Sequence, residues 1–119
     1  METTIDLQVR ADLANETVRH YGEVPQDFPE RMAGRIKRKF HADLDIAAVS
    51  TLVNNFRGIY EFGSLILKDF ILPLDGKHAI PADIQTDHFV SSLIAQYPDE
   101  DKAILETISR WVVYYEYLR

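Results

Sequence analysis

Two short groupings hold residue types that can ligate a divalent metal or move a proton: His41, Asp43 and Asp45, alternating in HADLD, and Asp83, Asp87 and His88, in ADIQTDH. Carboxylate oxygens beside imidazole nitrogens suit such ions. Ordinary structural roles account for the same residues. Asp45 and Asp83 stand where helix caps belong, and a histidine near a helix C-terminus complements the dipole. We therefore expect no metal and no cofactor.

Other catalytic signatures are missing from the chain. The four histidines are followed by Tyr21, Ala42, Ala79 and Phe89, so there is no HExxH. Nor is there a GxSxG elbow, a Walker loop or a GxGxxG, and the five glycines lie far apart. An acid three residues before a histidine, the mark of di-iron bundles, occurs only as Asp75 and His78, in a stretch that reads as a loop. With no cysteine there is no disulfide framework and no thiol nucleophile, which fits a reducing compartment. The expectation is a protein that is not an enzyme.

A third group could bind rather than react. Residues 31 to 41 carry five positive charges and no acid, in a chain whose formal net charge is -6. The remainder holds 8 basic groups against 19 acidic ones, or -11. On a helix, Arg31, Arg35, Arg38 and Lys39 share one face, while Lys37 points elsewhere. Such a face can bind nucleic acid, or an acidic protein surface including that of a second copy. The commonest fate of such runs is a solvated face, bridged here to acids on helices one and four. Against nucleic acid, HADLD replaces the tight glycine-bearing turn of a helix-turn-helix, and Leu52, Val53 and Phe56 are needed for the core.

A fourth group lies at the C-terminal end. WVVYYEYLR, 111 to 119, holds four of the thirteen aromatic residues. If Trp111, Val112 and Tyr115 face the core, then Arg110, Val113, Tyr114 and Tyr117 form the opposite side. Tyrosine and arginine are what protein interfaces favour.

The elements that position these groups are helical. One domain of 119 residues can bury a core unaided. Leu7, Ala11, Ala14, Val18 and Tyr21 make the stripe of a first helix, although the alternation of Ile5, Leu7 and Val9 also fits a strand over 4 to 10. Asp27, Pro29 and Glu30 predict a capped start for a second helix buried through Met32, Ala33, Ile36 and Phe40 and running to about Ala42. A long central helix, about 46–72, keeps three-to-four spacing from Val49 to Ile71. Residues 73 to 83 form a connection. A fourth helix, about 83 to 97, buries Phe89, Val90, Leu93, Ile94 and Tyr97. Pro98 opens a fifth, with Ile104, Ile108, Trp111, Val112 and Tyr115 inward. The fold class expected is all-α, an antiparallel bundle of four to five helices forming a single helical domain, 1–119.

The N-terminus lacks the basic start and apolar core of a secretory signal. FGSLILKDFILPL, 62 to 74, is too short and too charged to cross a bilayer. The expectation is a cytoplasmic protein with no membrane partner. Its leading function is a non-enzymatic protein-protein interaction module, of inhibitor, immunity or homodimeric adaptor type, acting through Arg110, Val113, Tyr114 and Tyr117 with acidic surface steering the partner. The alternative is a small nucleic-acid-binding regulator using Arg31, Arg35, Arg38 and Lys39.

Overall fold

Asp6 starts the first helix. Its carboxylate accepts the Gln8 N–H at 2.7 Å, the bond that an N-cap aspartate makes, and α1 runs Leu7–Arg19. Residues 6–19, 25–70 and 85–118 are described in this computed structural model, the side chains of 117 and 118 excepted. Among them are five α-helices and no strand, so the all-α class expected is found. They divide into two compact units, Met1–Arg57 and Gly58–Arg119, with the boundary inside the longest helix.

The first unit holds α1, α2 (Phe28–Phe40) and the first part of α3 (Ile46–Ile66). Helix α1 buries Val9, Leu13, Ala14, Thr17 and Val18, while Leu7 is left 46% exposed. The stripe is thus rotated from the one expected on Leu7 and Ala11. A polar residue lies within it: the Thr17 hydroxyl donates back to the Leu13 carbonyl at 2.6 Å, which satisfies it in the core. Residues 7 to 10 are helical, as the cap requires; Ile5 and Tyr21 lie outside the described residues.

Helix α2 buries Phe28, Met32 and Ile36, with Ala33 and Phe40 half-buried. Pro29 stands in its first turn as expected, but Asp27 makes no cap bond. Its carboxylate takes the Arg31 Nε instead, at 2.8 Å. The helix stops at Phe40 rather than Ala42, because His41 turns left-handed (φ 55°) and returns its N–H to the Lys37 carbonyl at 3.0 Å.

In α3, Val49, Val53, Phe56, Ile59 and Tyr60 are buried on the expected spacing, and the helix tightens into a 3₁₀ turn at Leu67–Phe70. Residues 71 and 72, the end of the expected span, lie outside the described residues. So does the whole of the expected connection, 73 to 83.

The second unit adds α4 (Thr86–Gln96) and α5 (Lys102–Val113) to the rest of α3. The Gln85 N–H donates to the Phe70 carbonyl at 2.7 Å, which brings the chain entering α4 beside the 3₁₀ turn. Phe89 follows and meets the Phe70 ring at 5.8 Å. Helix α4 buries Phe89, Val90 and Leu93; Ile94 and Tyr97 are half-buried. Gly63 lets the helices close in, since a Cβ there would stand 3.3 Å from both Phe89 and Val112.

Pro98 does not open α5. Proline holds the residue before it out of the helical region, so Tyr97 (φ -125°, ψ 65°) ends α4 and a turn follows. The start belongs to Asp101, extended and accepting the Ala103 N–H at 2.8 Å. Helix α5 buries Ile104, Leu105, Ile108, Ser109 and Val112, and its last turn widens into a π-helical segment, Tyr114–Leu118. No helix among the described residues is long and apolar enough to cross a membrane.

Candidate interaction surfaces

The π-helical turn re-aims the aromatic end. Trp111 and Tyr115, expected in the core, are only half-buried and stack on each other, with ring centroids 5.7 Å apart and planes 24° apart. Tyr114 closes the group edge-on, at 5.7 Å from Trp111 and 5.3 Å from Tyr115. Rings so disposed stabilise one another. A π turn adds a residue per turn, which carries Tyr115 away from a strict 100° stripe.

Tyr114 is 48% exposed, Arg110 one turn before it is exposed, and Val113 is half-buried. The side chain of Tyr117 lies outside the described residues. The turn is tied down from below: the buried Tyr60 donates its hydroxyl to Glu116 Oε1 at 3.1 Å. Beside this surface, α4 and α5 border an open groove of about 330 Å³ whose lining includes Val90, Ile94, Glu106 and Arg110. Arg110 thus joins the exposed rings to a groove, a juxtaposition that the spacing of α5 alone does not reveal.

The basic run is dispersed by its neighbours. Arg35 makes two hydrogen bonds to Asp12, Nε to Oδ2 at 2.9 Å and Nη2 to Oδ1 at 3.0 Å. Lys39 reaches the same carboxylate at 2.9 Å, and Arg35 lies 3.7 Å from Glu16. Arg31 pairs with Asp27 on α2's own surface, and Lys37 with the exposed Asp43 at 3.4 Å. Of the bridges weighed for a solvated face, those to acids of α1 are present. Asp12, only 11% exposed, is drawn below the usual carboxylate range chiefly by its hydrogen bonds from Arg35, and Arg35 is raised in turn.

Arg38 differs from the others. Among the described residues it has neither an acid nor a hydrogen bond, and its guanidinium lies back along the helix, 3.3 Å from where a Gly34 Cβ would be. It borders a cavity, of about 480 Å³, with Arg31, Arg35, Phe28 and Met32.

Of the metal-type groupings, His41, Asp43 and Asp45 are all exposed, and Asp43 faces Lys37. Asp87 and His88 are exposed in the first turn of α4, while Asp83 lies outside the described residues. Among the described residues no three histidines or acids gather into a metal-holding group. No family model, curated protein or solved structure matches the chain.

Proposed function

We propose that the protein is a non-enzymatic, cytoplasmic protein-binding module that engages its partner, another protein or a second copy of itself, through the C-terminal aromatic surface. The observation that supports this reading is the exposed Tyr114, held by Trp111 and Tyr115 and flanked by Arg110. Aromatic anchors already ordered in the free protein lose little freedom on binding, and Tyr, Trp and Arg dominate the energetics of protein interfaces. The turn carrying them is braced by Tyr60, so its geometry persists without a partner. The nucleic-acid alternative has less support. Two of its four cations, Arg35 and Lys39, are committed to Asp12.

A photoreactive amino acid at position 114 tests the proposal, with the same group at the exposed Lys68 as control. Crosslinks specific to position 114 and weakened by Arg110→Ala are expected, in the purified protein for a homodimer and in native extract for a separate partner. Equal labelling at both positions, or none at either, defeats it.

A further inference from the structure

We propose that the cavity beside α2 binds a small organic oxyanion, a phosphate monoester or carboxylate attached to a flat apolar body. The cavity lies in the first unit and the proposal does not depend on the C-terminal surface. Its volume, about 480 Å³, is within the range of small-molecule sites. The lining combines two chemistries. Pro25, Phe28 and Met32 offer an apolar wall, Phe28 and Met32 each 4% exposed, and methionine adapts to rings of varied shape. Arg31, Arg35 and Arg38 follow one another along the same side of α2 and supply guanidinium groups, whose planar donor fork matches carboxylate and phosphate oxygens.

The charges do not cancel locally. Among the described lining residues Arg31, Arg35 and Arg38 stand against Glu16, three cations to one acid, in a chain of net -6. Glu16, the one acid among the described lining residues, lies 3.4 Å from Arg19 and 3.7 Å from Arg35. The Arg31–Asp27 pair is exposed, at 66% and 55%, and such a pair opens to a ligand at little cost. Arg38 needs no such exchange. It borders the cavity with its guanidinium unpaired among the described residues, beside a glycine whose missing side chain leaves it room. A cation bordering a cavity walled by a buried phenyl ring, with no acid partner among the described residues, is arranged for an anion that carries an apolar group.

Titration of the full chain with phenyl phosphate, benzoate, inorganic phosphate and benzyl alcohol, followed by NMR shifts and calorimetry, tests this. Phenyl phosphate or benzoate is expected to saturate with a Kd of about 1 mM or lower, shifting Phe28 and Met32 resonances. Inorganic phosphate and benzyl alcohol, each lacking half of the recognition, are expected to bind at least about tenfold more weakly. Arg38→Gln, exposed and therefore tolerated by the fold, should weaken binding about tenfold, whereas Lys68→Gln, exposed in the other unit, should leave it unchanged. Three results overturn the proposal: no saturation by about 10 mM at low salt, equal affinity for inorganic phosphate, or no loss with Arg38→Gln. Binding of a DNA duplex with strong salt dependence, without binding of the small anions, would replace it with the nucleic-acid reading.

Discussion

Tyr60 and Glu116 are joined across 56 positions: the phenol of a residue only 1% exposed in α3 donates to an exposed carboxylate in the π-helical turn, at 3.1 Å. This bond fixes the C-terminal aromatic group relative to the core of its unit. Removing it with Tyr60→Phe keeps the ring and loses the tie, at a cost of about 1 kcal/mol, or about 4 °C in Tm for a chain of this size. Trp111, stacked on Tyr115 of that turn, should report it by a red-shifted emission. A variant with unchanged emission and denaturation midpoint would show that the tie does not hold the turn.

Asp12 makes stability depend on pH in a defined window. Its folded pKa is lowered, first by the Arg35 hydrogen bonds, so its contribution is fully present above the unfolded aspartate value near pH 4 and is lost as pH falls through the lower folded value. The denaturation free energy of the wild type should therefore drop more steeply below about pH 4 than that of Asp12→Asn. The variant should also be less stable at neutral pH by about 1–2 kcal/mol, between the values for exposed and buried ion pairs. Parallel curves for the two proteins would refute the assignment.

Periodicity made the all-α class and the stripe of α3 legible, because Val49, Val53, Phe56 and Ile59 recur at helical spacing and hydrophobic burial needs nothing else. Elsewhere the pattern was ambiguous for identifiable reasons. Thr17 is polar by type and buried by virtue of a bond to its own helix, which rotated the stripe of α1 away from Leu7. Asp101 rather than Pro98 begins α5, because the sequence holds two start signals three residues apart and Pro98 is spent on the turn that ends α4. The fate of the basic run was legible only as one of three alternatives. Whether Arg35 is free depends on Asp12, 23 positions away, and no spacing rule links them.

Two glycines in α3 should respond to alanine with opposite signs. At Gly58 a Cβ meets nothing within 4 Å, so Gly58→Ala should stabilise by about 0.5–1 kcal/mol through helix propensity. At Gly63 it meets Phe89 and Val112 at 3.3 Å, both fully buried and unable to step aside. Overpacking there, about 1–3 kcal/mol, outweighs the same propensity gain. Chemical denaturation of both variants checks the pair; stabilisation by both would mean that the Gly63 contact is slack.

His41 occupies a left-handed backbone position, φ 55°, that costs an ordinary residue about 1 kcal/mol and a glycine almost nothing. His41→Gly keeps the N–H returned to Lys37 and should raise stability by about that amount. The side chain is exposed, so little packing is lost. A destabilised variant, measured by thermal unfolding, would assign the imidazole a structural contact of its own.

Arg35 and Arg38, three positions apart, should behave as different kinds of cation. Arg35→Gln leaves Asp12 and Glu16, 11% and 12% exposed, with one fewer counter-charge, and should cost about 1–2 kcal/mol. Added salt should shrink that difference, because Arg35 is 37% exposed and its pairs are partly screened. Arg38→Gln breaks no ion pair among the described residues, so its effect on stability should stay within about 0.5 kcal/mol at any ionic strength. Anion binding should move the opposite way, weakened about tenfold without Arg38 and less without Arg35, whose donors face Asp12. Equal destabilisation by the two variants would mean that the run acts as one structural unit, with no cation left over for a ligand.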